Sequence, residues 1–255
     1  MEKFAALIFS LFVLAACGTP RDGERATSEH PDNRSNTSAK VHTELAGLYY
    51  ERSQFGVALG EIEKALQSDR DYAPAYNVRG LINMALREYK DAEEDFQQSL
   101  KLDRRDSETH NNYGWFLCQR GREKDAIPHF MAALKNPLYE TPERAWLNAG
   151  VCSKKAGNIK DADEFLQRAL TLQPDLPQAL LTMAELSFDN GDYVMAKKYF
   201  AKFHEKSGNP SAEQLWLAVR IERKVGDRNS EASYGMQLRK RFPDARETGL
   251  LMRGE

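Results

Sequence analysis

Written in lines of 34 residues from Ala39, the sequence aligns with itself. Alanine recurs at 58, 92 and 126 at intervals of 34, then at 162 after 36 and at 196 after 34. A second column of small residues, Ala46, Gly80, Gly114, Gly150, Ala184 and Ala218, precedes it. Four residues after the alanines stand Ile62, Phe96, Phe130, Leu166 and Phe200, each large and apolar. Further columns are Phe55, Tyr89, Ile159 and Tyr193 before the alanine, and Leu66, Leu100, Leu134 and Leu170 near the end of the period. Self-similarity on this scale means one supersecondary unit per period, stacked on its neighbours.

Within a period, segments such as Ala75–Leu86 and Lys90–Leu102 carry apolar residues three or four apart, the stripe of an amphipathic helix. Short turns at Arg120-Gly121, Ala156-Gly157 and Asn190-Gly191-Asp192 separate two helices, because glycine accepts the left-handed end of a helix. Pro74, Pro142, Pro174, Pro177 and Pro210 lie at the junctions between units, where proline can open a helix without losing a bond. The pattern resembles the tetratricopeptide repeat, whose unit is two antiparallel helices. That resemblance implies an all-α, right-handed superhelical solenoid of about six repeats, starting near 39, 73, 107, 143, 177 and 211 and filling residues 39–255. The sixth unit is the least regular, with Gly226 and Ala232 displaced, as suits a terminal repeat.

Ahead of the repeats, an apolar run from Phe4 to Ala16 follows Lys3. It is shorter than the ~20 residues a membrane span needs and reads as a secretory signal peptide, residues 1–16. Its end, Leu14-Ala15-Ala16-Cys17, resembles the lipobox of bacterial lipoproteins. The resemblance implies that Cys17 becomes the first mature residue and carries lipid, enough acyl chains for stable anchoring. Gly18, rather than aspartate, implies the outer membrane, periplasmic face. Residues 17–38 are nearly devoid of apolar side chains and read as a disordered tether, which spaces the body roughly 25 Å from the lipid.

The formal net charge of -2 provides neither a nucleic-acid footprint nor a polybasic patch. Chemistry is scarce. The five histidines, His30, His42, His110, His129 and His204, stand singly, without metal-ligand spacing, and neither a phosphate loop nor a nucleophile elbow occurs. These features predict a protein without catalytic residues, metal, cofactor or small-molecule substrate.

In a solenoid, first helices of adjacent units are neighbours. Cys118 and Cys152 both fall in such helices and could bridge if their Cα atoms come within about 7 Å, two buried thiols being the alternative. The second, fifth, ninth and twelfth residues of first helices usually point into the concave surface. Here they include Tyr50, Leu81, Met84, Trp115, Leu147, Val151, Leu181, Phe188, Leu215 and Val219. Basic residues are sparse among them although Asn77 and Asn111 are present, so an apolar groove for an amphipathic helix or strand is expected. Packing between units is the competing role for these side chains.

A narrower resemblance rests on Asn111-Asn112-Tyr113-Gly114-Trp115-Phe116-Leu117-Cys118-Gln119, Asn136-Pro137-Leu138-Tyr139 and Asn148-Ala149-Gly150-Val151-Cys152. These stretches resemble the type IV pilus biogenesis lipoproteins of the PilF/PilW family, over essentially the whole chain. The resemblance implies an outer-membrane pilotin, partnered by the secretin subunit and other pilus assembly proteins, or a factor that stabilises the pilus fibre. A lipidated periplasmic scaffold for peptidoglycan enzymes is the alternative from another class.

Overall fold

The structure, a computed structural model, describes residues 31–255, with side chains from residue 35. Among the described residues the chain is entirely helical. Six antiparallel hairpins follow one another: α1 (Pro31–Glu51) with α2 (Phe55–Ser68), α3 (Ala73–Leu86) with α4 (Tyr89–Leu102), and α5 (Ser107–Gln119) with α6 (Glu123–Ala133). Next come α7 (Pro142–Lys155) with α8 (Ile159–Leu172), α9 (Pro177–Asp189) with α10 (Tyr193–Ser207), and α11 (Ala212–Val225) with α12 (Arg228–Arg241). A short α13 (Arg246–Met252) packs on α11 and α12. No described helix is long and apolar enough to cross a membrane.

The columns of the sequence become the contacts inside each hairpin. Ala58, Ala92, Ala126, Ala162 and Ala196 are wholly buried, as are the large side chains four residues later, with Phe200 nearly so. The preceding small residues meet those large ones directly. A Cβ added to Gly80 would stand 2.8 Å from the Phe96 ring, one on Gly114 2.8 Å from Phe130, and one on Gly150 2.6 Å from Leu166. Glycine therefore sets the helix spacing, and the ring or isobutyl group opposite fills it. Burial of such a side chain stabilises by about 1.5–3 kcal/mol.

The turns repeat with the same fidelity. Gly121, Gly157, Gly191 and Gly226 close their first helices at φ between 74° and 85°. Arg87 takes this place in the second repeat at φ 66° and Ser53 in the first at φ 57°, although neither is glycine. Proline stands in the first turn of α3, α7 and α9, and Asp106, Asp192, Ser211 and Asp227 cap α5, α10, α11 and α12 through their side chains.

Two boundaries differ from the sequence reading. The signal peptide, Cys17 and most of the tether lie outside the described residues. Helix α1, however, begins at Pro31, so residues 31–38, expected in the tether, continue the first helix. Once a helix is nucleated by packing, each added residue contributes a backbone bond without a new nucleation cost. Ser38 joins this docking through a 3.0 Å hydrogen bond to Ser68, and Ala39 is buried. At the other end, the last unit does have a following neighbour. Leu251 of α13 meets Gly235 of α12, and Thr248 is buried beneath it.

Two substitutions separate these backbone roles. Gly114→Ala should destabilise by about 1–3 kcal/mol because Phe130 has nowhere to move. Arg87→Gly should stabilise by about 1 kcal/mol by relieving a left-handed conformation. Urea unfolding midpoints of the two variants check both signs.

Candidate protein-binding surface

Successive first helices touch, α1 on α3, α3 on α5, α5 on α7 and α7 on α9, whereas the second helices stand apart. The first helices thus form the tighter, inner layer of the solenoid. Polar bonds run between them beneath the surface. Asn112 donates to Asn77 Oδ1 at 3.1 Å and Asn148 to Asn111 Oδ1 at 2.9 Å, while Ser99 of the second helix α4 bridges two first helices, donating to the Ala73 carbonyl of α3 and pairing with Thr109 of α5. Asn77, Asn111 and Asn112 are buried, so these amides join repeats and do not clamp a ligand.

The residues expected to line the groove divide into two sets. Tyr50, Leu81, Met84, Trp115, Leu147 and Val151 are half-buried. Leu81, Met84 and Trp115 pack on the core of repeats two to four with one side and leave the other to solvent. Tyr50 rests on Phe55 at 6.0 Å between ring centroids, and burial pushes its hydroxyl pKa up. Leu181 and Phe188, by contrast, are buried, and Leu215 and Val219 wholly so. None of the four offers a half-exposed side chain to the inner surface. Leu181 and Phe188 belong to the large apolar cluster that includes Phe200 and Phe203.

Cys118 of α5 and Cys152 of α7 form a disulfide, with Cα atoms 5.8 Å apart and both side chains buried. It crosses the junction that carries the two extra residues of the third period. Lys155 reinforces the same junction, donating to the Cys118 carbonyl at 2.6 Å and pairing with Glu123 at 3.5 Å. Tyr139, within the insertion, donates to Glu108 at 3.1 Å, and burial raises its pKa strongly.

The histidines are not all solitary. His110 and His129, 19 residues apart, meet at 2.9 Å between their Nδ1 atoms. His110 Nε2 lies 3.1 Å from the Arg104 carbonyl. The neutral His110 therefore donates from Nε2 and accepts at Nδ1, so His129 donates its Nδ1 hydrogen. Burial and the neighbouring His110 lower the His129 pKa to about 4. His42 pairs with Glu61 at 2.6 Å and His204 stacks on Phe200, while His30 lies outside the described residues. Among the described residues no group of His, Cys, Asp or Glu could hold a metal ion.

Basic residues are sparse at the inner positions but grouped elsewhere. Arg220, Arg223 and Lys224 of α11 lie beside Arg246 of α13. Those side chains fall outside the four inner positions of a regular repeat, and α13 belongs to none. The available signal was their own spacing, three and four residues apart on one helix.

Family models described as tetratricopeptide repeat match residues 73–106 and 143–176. The chain is 30% identical over 248 residues to the type IV pilus assembly protein PilF of Pseudomonas aeruginosa, covering 97% of each. Its fold is similar to that of PilF from Pseudomonas aeruginosa, with a TM-score of 0.81, 27% identity, and 87% of this chain and 100% of that one covered. The crystal structure of PilW, a widely conserved type IV pilus biogenesis factor, superimposes with a TM-score of 0.79 at 33% identity, over 85% of this chain and 99% of that chain.

Replacing Cys118 and Cys152 together by alanine should lower stability by about 4 kcal/mol, from the lost constraint on a loop of this length, and urea midpoints measure it. The pH dependence comes from His129. Its folded pKa, about 4, is depressed from 6.5. The contribution is therefore fully present above pH 6.5 and is lost as pH falls through that window toward 4, where the unfolded chain takes up the proton first. His129→Gln should flatten the fall in unfolding midpoint across this range.

Proposed function

From a chain that belongs to the family of the type IV pilus assembly protein PilF, we propose a lipid-anchored assembly factor of the type IV pilus that acts by binding rather than by catalysis. In this reading lipid on Cys17 holds the protein at the periplasmic face of the outer membrane. The solenoid then binds secretin subunits, promoting their localisation and their multimerisation into the ring through which the pilus emerges.

The single observation that carries the reading is end-to-end similarity to PilF, 30% identity over 97% of both chains. Two features of the molecule support it. The half-buried row of Tyr50, Leu81, Met84 and Trp115 offers apolar surface on a layer whose asparagines are already paired with one another across repeats, so a partner need not supply those bonds. The covalent link from α5, which carries Trp115, to α7 fixes the far end of that row, which lowers the ordering cost of association.

The test is the state of the secretin in a strain lacking this protein, followed by unheated gels and membrane fractionation. Loss of heat-resistant rings, with monomers retained at the inner membrane, is the expected result. Complementation with Cys17→Ala should fail to restore location, and Met84→Glu should restore location without full assembly. Rings that persist while pili are lost would move the role to the fibre. Co-purification of peptidoglycan hydrolases in place of secretin would overturn the reading.

A further inference from the structure

The first helices close on one another as far as α9, but α11 does not close on α9 in the same way; it packs on α10, α12 and α13. Gly208, at φ 67°, starts the loop that leads into α11, and the capping box of Ser211 and Gln214 sets the new helix direction. The result is a cleft of about 710 Å³ between the ends of α9 and α11, with α13 as its far wall.

Aromatic rings and cations alternate along it. Arg220 lies over the Phe188 ring at 4.2 Å, Arg223 over Trp216 at 5.8 Å and Lys224 over Tyr193 at 5.7 Å. Ring faces hold a cation in place without neutralising its charge. Arg223 is already paired with Glu231 at 2.7 Å. Among the described residues, Arg220, Lys224 and Arg246 have no carboxylate within ion-pair distance. Two acidic residues share the lining: Asp189, and Glu255, whose backbone oxygen accepts from Arg223 Nη1 and whose side chain pairs with Arg253.

Two arginines and a lysine that keep their charge beside Trp216 and Leu250 suit a carboxylate next to an aliphatic side chain. Guanidinium groups bind carboxylates in bidentate fashion, and the apolar walls exclude water from the pair. The adjoining depression restricts the charge of a longer ligand. Its lining holds Glu185, which Lys154 pairs, with Asp189, Glu213 and Glu247 outnumbering Arg220, so a continuous acidic run would be repelled one step beyond the cations.

We propose that the cleft between α9, α11 and α13 is a docking site for an extended, acidic and aliphatic peptide segment of a partner protein. It is a second surface, separate from the row that includes Met84 and Trp115, and it does not depend on the secretin being the partner of that row.

The experiment uses the folded chain without its lipid and a short fluorescein-labelled peptide of alternating aspartate and leucine. Its lysine–leucine counterpart serves as control, and anisotropy is read at low and high salt. The acidic peptide should bind at least about tenfold more tightly than the lysine one, and added salt should weaken it. Among the described residues neither Lys224 nor Arg246 donates a side-chain hydrogen bond or forms an ion pair, so Lys224→Glu with Arg246→Glu should leave the chain folded and abolish this preference. Lys90→Glu on distant α4 should leave it intact. Equal binding of both peptides overturns the proposal, as does full affinity in the folded double variant. Failure to bind either peptide, together with a concentration-dependent dimer that the double variant loses, would assign the cleft to a second copy and also overturn it.

Discussion

The approach of a first helix to its second, permitted by the absence of a side chain at Gly80, Gly114 and Gly150, controls everything built on it. With a Cβ at these places the helices could not come close enough for Phe96, Phe130 and Leu166 to fill the space between them. Close hairpins present narrow edges, and narrow edges let the next hairpin stack with its first helix against the previous one. The inner layer, its hydrogen-bonded asparagines and its half-buried apolar row are consequences of that spacing. Interiors packed at crystal-like density transmit such a constraint over many residues.

Stacking alone makes a quasi-one-dimensional object in which each unit is held only by its neighbours. The junction between the third and fourth repeats would be its weak point, because two extra residues lengthen the connection between α6 and α7. Among the described residues it is the junction that carries a disulfide. The Cys118–Cys152 disulfide, the Lys155 bond to the Cys118 carbonyl, and the bond from Asn148 to Asn111 all cross it. Repeats two and three are joined by a different device, where Tyr113 and Arg122 both donate to Glu93 and Gln97 donates to the Tyr113 oxygen. The middle of the solenoid is therefore rigid where a long binding surface requires it.

The two ends differ in chemistry. Toward the amino-terminal half, the inner layer offers half-buried Tyr50, Leu81, Met84 and Trp115, with little charge among them. Toward the carboxyl-terminal end Leu181 and Phe188 sink into the core around Phe200, Leu215 and Val219 are wholly buried, and arginine and lysine lie over aromatic rings. An assembly factor with two such regions could hold one partner by apolar contact and another by charge. The electrostatic site is the one expected to govern rates of encounter.

Repeat number, helix pairs, turn positions and the large-small columns were all readable from the residues. Each depends on spacing along one helix or hairpin, where the periods of 34 and about 3.6 act locally. The meeting of Cys118 with Cys152 was readable as a possibility for the same reason: adjacent repeats place equivalent positions side by side. Other features needed the folded molecule. His110 and His129 meet because α5 and α6 are antiparallel, and no spacing rule for metal or catalysis would have paired them. Leu181, Phe188, Leu215 and Val219 share the sequence positions of groove residues, yet the chain around them closes over them. Residues 31–38 look like tether by composition but extend a helix that packing has already nucleated. The basic cleft needs α11 to turn away from α9 and α13 to approach it. Amino-acid periodicity thus determined the unit and its stacking, and tertiary structure alone decided which side chains were left in contact with water, because burial depends on all neighbours at once.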